Sequence, residues 1–180
     1  MRKLFAVTIA LAMLVTVPGL ASAQPYPRTT AAQKAIQIVI ARGLSQQGVP
    51  FSYGGGDVNG PTMGSGTADN AAGLDREGHV VGRDPRLSVV GFDASGLMVY
   101  AFAGAGIKLP RSSGEQYKVG RKIPPQLALP GDLIFYGPEG TQSVALFLGN
   151  GRMLEATDPV VTVSPVRTNN MTPYLVRIIG

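Results

Sequence analysis

Along residues 30–47 the apolar positions Ala32, Ile36, Val39, Ile40 and Gly43 return every three or four residues, the spacing of a helix with one buried face. Thr30 is the candidate cap, and Gly48 followed by Pro50 stops the run. From Gly54 to about Val90 the periodicity gives way to Gly, Asp, Asn and Pro, which predicts a long loop over 57–90. A stretch of that kind inside a compact domain is usually functional or mobile. A second helix is predicted from an Asp93 N-cap through Leu97, Met98 and Ala101 to Gly106, and the S-x-x-E run Ser112–Glu115 predicts a short third one. After Pro130-Gly131 the pattern changes to short β-rich runs, at Asp132–Tyr136, Ser143–Leu148, Arg152–Ala156, Val160–Val163 and Tyr174–Ile179. Strands that follow one another so closely pair antiparallel, with the helices on one face, so the expected class is α+β.

The amino terminus has a different pattern. Arg2 and Lys3 precede an apolar run from Leu4 to Val17; Pro18-Gly19 breaks it, and Ala21-Ser22-Ala23 supplies a small-residue cleavage signal. This is the order of a secretory signal peptide, and the run is shorter than the about 18 apolar residues expected of a membrane span. The expected organisation is a signal peptide over 1–23 cut between Ala23 and Gln24, a short leader over 24–29, and one domain over 30–180. No membrane anchor is expected to remain, and export is expected.

Composition narrows the chemistry. The chain has no cysteine, which excludes disulfides, thiolate catalysis and cysteine-bound zinc. The net charge of +5 is scattered, with no basic run, so nucleic acid is not an expected partner. The one histidine, His79, sits in the Gly-rich loop and reads as a solvated side chain. No His and carboxylate cluster has metal-ligand spacing, so neither metal nor cofactor is expected.

The motif-bearing stretch is Gly91-Phe92-Asp93-Ala94-Ser95-Gly96-Leu97. It resembles the signature of the NlpC/P60 cell-wall peptidases, in which a cysteine follows Phe-Asp and precedes Ser-Gly-Leu. Four further segments resemble the same family in the right order: Phe51–Gly55, Gly106–Ser113 with Gln116, Pro130–Phe135 and Ser143–Gly151. Met153–Ala156 and Met171–Tyr174 look most like its mycobacterial Rip subgroup.

The resemblance implies a papain-like fold and thiol hydrolysis of peptidoglycan stem peptides. In such chemistry a helix N-terminus and a histidine stabilise the thiolate, the histidine moves the proton, and a third polar residue orients it. Carried over by position, the cysteine falls on Ala94, the histidine on Ser143 and the orienting residue on Glu155. Two of the three are missing, which implies a pseudoenzyme. An engineered inactive γ-D-glutamyl endopeptidase would account for Ala94 but not for Ser143. Ser95 does not replace the nucleophile, because the next side chain on a helix is rotated by about 100°.

What the resemblance leaves is a groove, with Tyr53, Asp93, Ser95, Arg111 and Ser113 as candidate ligand contacts. Asp93 could pair with a peptide amine and Arg111 with a carboxylate; alternatively Asp93 only caps its helix and Arg111 is solvated. The glycines at 54–56 permit close approach of a ligand, or simply make turns. The expected function is noncatalytic binding of peptidoglycan, most directly its stem peptide. The alternative is a partner that regulates active wall hydrolases, with loop 57–90 as its contact. One geometric expectation follows. If Ser143 and Glu155 descend from a catalytic pair they share a sheet face, which a three-residue loop at Gly149-Asn150-Gly151, with Gly151 left-handed, provides by setting Glu155 opposite Ala145.

Overall fold

The structure is a computed structural model that describes residues 28–65 and 89–180. Helix α1 spans Thr30–Leu44 and buries Ala32, Ile36, Val39 and Gly43, while Ile40 is half-buried. Its cap is Thr29, one residue earlier than expected: the Thr29 hydroxyl accepts from the Ala32 amide at 3.1 Å. The helix also ends three residues early, because the chain turns through Gln46 and Gln47 to a left-handed Gly48. Helix α2, Ala94–Ala103, is apolar almost all round and lies in the core, with Leu97, Met98, Ala101 and Phe102 fully buried. Helix α3, Ser113–Lys118, opens on the Ser112 cap.

The described residues contribute eight strands. β1 (Thr62–Met63) and β2 (Val90–Gly91) form a small antiparallel pair. β3 (Arg121–Ile123), β4 (Leu133–Tyr136), β5 (Ser143–Gly149), β6 (Arg152–Ala156), β7 (Val161–Pro165) and β8 (Leu175–Arg177) form one sheet in the order β3-β8-β4-β5-β6-β7. Every neighbour pair is antiparallel. Alternation sorts the sheet residues. Leu133, Phe135, Val144, Leu146, Leu154 and Ala156 pack with α1 and α2, while Ile134, Tyr136, Ala145 and Met153 form a second cluster with Ile123 and Leu175. The protein is therefore α+β, with helices on an antiparallel sheet.

The segment 57–90 is not featureless, since both ends of it pair as β1 and β2. A loop had been expected there because a two-residue strand is too short to show a period. Residues 66–88, including His79, lie outside the described residues, as do the expected signal peptide and most of the leader. β3 was also unforeseen; it is formed by Arg121, Lys122 and Ile123, of which only the last is buried.

The β5–β6 hairpin reaches the expected register by another route. Gly149 pairs with Arg152, so the connection is the two-residue turn Asn150-Gly151, with φ of 50° and 67°. The register then shifts by one residue between Phe147 and Gly149, leaving Leu146 opposite Leu154 and Phe147 opposite Met153. Continued one step, that register sets Ala145 against Glu155. Ser143 and Glu155 share a face, but a bulge supplies the offset that a longer loop was expected to give.

Candidate functional site

A groove of about 820 Å³ runs past the N-terminus of α2 and the sheet. Its lining includes Tyr53, Asp93, Ala94, Ser95, Arg111, Ser113, Ser143 and Glu155, so every site residue expected from sequence meets in one place. Phe51, Thr141, Gln142 and Arg167 also line it, and the sequence pattern had not singled them out for the site.

Asp93 organises one wall. Its Oδ1 accepts from the Gly96 amide at 2.6 Å, which caps α2, and from the Ser95 hydroxyl at 3.0 Å. Arg111 reaches both carboxylate oxygens at 2.9 Å, and the Gly54 amide adds a bond to Oδ2 at 3.1 Å. Arg111 also donates to the Ser95 hydroxyl at 2.8 Å and to the Gly55 carbonyl at 2.9 Å. These bonds match the capping alternative for Asp93, and they engage the Nη hydrogens of Arg111 in the wall rather than leaving it solvated. Ser95 is buried in the same network. Of the candidate contacts, Tyr53 is exposed and Ser113, the first residue of α3, is buried at the groove wall.

The glycines belong to this wall too. A Cβ on Gly96 would lie 2.2 Å from the Gly55 carbonyl oxygen, and one on Gly55 would press on the carbonyls of Ser52, Thr62 and Gly91. At Gly55 the missing side chain lets the protein's own backbone approach closely.

Ala94 opens α2 and faces the groove half-buried. Ser143 starts β5 opposite Tyr136, and its hydroxyl makes no hydrogen bond among the described residues. Glu155 is buried and held. Arg167 Nη1 donates to both carboxylate oxygens at 2.6 Å, and the Ser164 hydroxyl donates to Oε1 at 2.5 Å. The Arg167 guanidinium also lies over the Tyr136 ring, 4.8 Å from its centroid. Burial pulls the Arg167 pKa down, but the hydrogen bond and charge of Glu155 outweigh it, and the net shift is upward. Arg167 comes just after β7 in a run with no period, so nothing in the sequence tied it to Glu155.

A groove with an alanine at the helix tip and a serine on the strand has binding surface, no thiol, and among the described residues no imidazole. The chain belongs to the NlpC/P60 family, which it matches over residues 48–180, and within it to a mycobacterial Rip-like subgroup. It is similar to RipD from Mycobacterium tuberculosis, a non-catalytic NlpC/p60 domain protein adapted to peptidoglycan binding. The identity is 61% with a TM-score of 0.68, over 80% of this chain and 97% of that one. It is 52% identical over 149 residues to the peptidoglycan endopeptidase RipA of Mycolicibacterium smegmatis, covering 82% of this chain but 26% of the relative. Against the peptidoglycan endopeptidase RipB of M. tuberculosis the identity is 50%, over 87% of this chain and 58% of the relative. The chain thus spans about a quarter of RipA and somewhat over half of RipB. Structures of the resuscitation promoting factor interacting protein RipA altered at a cysteine, a histidine and a glutamate also match, at 49% identity. Those three positions have the same spacing along their chain as Ala94, Ser143 and Glu155 have along this one.

Proposed function

We propose that this protein is a noncatalytic peptidoglycan-binding member of its family that holds stem peptides in the groove without cutting them. The observation that carries the reading is the chemistry of two groove residues. Ala94 stands at the α2 N-terminus in a chain without cysteine, and Ser143, whose hydroxyl is no proton carrier near neutral pH, starts β5. The equal spacing in RipA supports the assignment of Ala94, Ser143 and Glu155 to the reacting positions. The non-catalytic character and peptidoglycan-binding adaptation of RipD support the binding role. Ser95 offers no substitute nucleophile, because its hydroxyl is tied to Asp93 and Arg111. We further propose export, with cleavage after Ala23, so that the mature protein begins at Gln24 and reaches the wall; intact-mass measurement on the exported form checks this.

The test is co-sedimentation with insoluble peptidoglycan together with mass spectrometry of the released products. The expected outcome is retention of the protein with no new muropeptides. Robust cleavage by the unmodified chain, lost on Ser95→Ala or His79→Ala, would overturn the reading.

A further inference from the structure

The groove contains two ion pairs, and they differ in what they leave free. In the Asp93–Arg111 pair, Nη1 and Nη2 of the arginine each make two bonds to the protein. In the Glu155–Arg167 pair the arginine bonds through Nη1 alone. Among the described residues its Nη2 and Nε have no hydrogen-bond partner. Those two nitrogens form one edge of the guanidinium, the side-on fork that matches a carboxylate.

Exposure separates the two partners. Both residues line the groove, but the Arg167 side chain is 48% exposed and the Glu155 side chain 4%, so the groove meets mostly the guanidinium. Tyr136 supports the guanidinium from below, and Ser143 is the cross-strand neighbour of Tyr136 with its own hydroxyl uncommitted. A fixed cation with an unbonded edge and a free hydroxyl lining the same groove have the donor set of an oxyanion receptor.

We propose that Arg167, held by Glu155 and Tyr136 and flanked by Ser143, is an anion subsite that takes a carboxylate of the bound peptide. The inference rests on the peptidoglycan-binding reading and adds which part of the ligand is recognised and by which residue. Because Glu155 offsets the charge of Arg167 at a distance, the gain comes from the short forked contact rather than from long-range attraction. A hydrogen bond to a charged group of this kind discriminates by about tenfold.

The experiment is calorimetric titration of the full mature chain with a synthetic stem peptide in free-acid form. It is repeated with peptides in which each carboxylate in turn is converted to the amide. One amide is expected to bind about tenfold more weakly than the acid. In Arg167→Gln the acid and that amide should bind alike, and Arg167→Lys should keep part of the difference. The acid-to-amide ratio within one variant does not depend on how much of the preparation is folded. Glu155→Gln/Arg167→Gln repeats the measurement without leaving a buried unpaired carboxylate. Equal binding of acid and every amide by the unmodified protein overturns the subsite, and so does an unchanged ratio in Arg167→Gln. If the protein is retained on insoluble peptidoglycan yet shows no acid preference, the inference fails and the function stands. If it binds neither the polymer nor any of the peptides, the functional reading fails first and the subsite falls with it.

Discussion

Ala94 sits in the first turn of α2, where amides left unpaired by the helix favour a negative charge. A thiol placed there gains that stabilisation but has no group to take its proton, so Ala94→Cys alone should give little hydrolysis. Adding Ser143→His supplies the missing base. Glu155 is already engaged, yet among the described residues its Oε2 accepts only from Arg167, and a carboxylate oxygen has two lone pairs. An imidazole N–H can take the second. The double variant is therefore expected to gain far more than the two single gains added together, as groups that act as a unit do. Misplacement by about 1 Å can cost on the order of a hundredfold, so activity below that of a working relative is expected. The readout is muropeptide release per enzyme, followed by mass spectrometry. A double variant no better than the sum of its parts would remove support for Ser143 as the base position.

At the level of elements, the β5–β6 hairpin shows what local sequence can and cannot specify. Asn150-Gly151 announces a turn with two left-handed residues, and the structure has both there. Ala at position 151 would have to adopt φ near 67°, at a cost of about 1–2 kcal/mol. Gly151→Ala should lower the urea midpoint accordingly, while Asn150→Gly should be close to neutral because glycine adopts that conformation readily. The bulge at Leu148 carries no comparable signal, which is why the right register was expected from the wrong loop length. The same division holds elsewhere. Asp93 as a cap, the buried stripe of α1 and the β4–β6 run were legible because each rests on neighbours a few residues away. Strand β3 was not, since Arg121 and Lys122 are held by pairing with β8 rather than by their own character. Nor was the link from Arg167 to Glu155, which depends on β6 and β7 lying side by side.

Across the whole molecule one carboxylate ties together segments that are far apart in sequence. Asp132, fully buried, accepts from Arg28 at 2.9 Å and from Arg177 at 2.7 Å on each oxygen, and it also takes the Leu129 amide at 2.8 Å. Arg28 Nε is buried there without a partner, and burial depresses the Arg28 pKa despite the attraction of Asp132. Removing the acid leaves buried cations facing one another. Asp132→Ala should cost about 3–5 kcal/mol, seen as a fall in Tm of roughly 10 °C in a thermal scan. A smaller loss than about 1 kcal/mol would show that water replaces the carboxylate without difficulty. The arrangement has a topological consequence. Arg28 precedes α1 and Arg177 closes β8, yet both side chains bond the same Oδ1. The polypeptide from 28 to 177 is thus nearly a closed ring, fastened by a charge rather than by a covalent bond. A short peptide splice across that clasp, with the ring reopened at Asn150-Gly151, would give a circular permutant with the same groove.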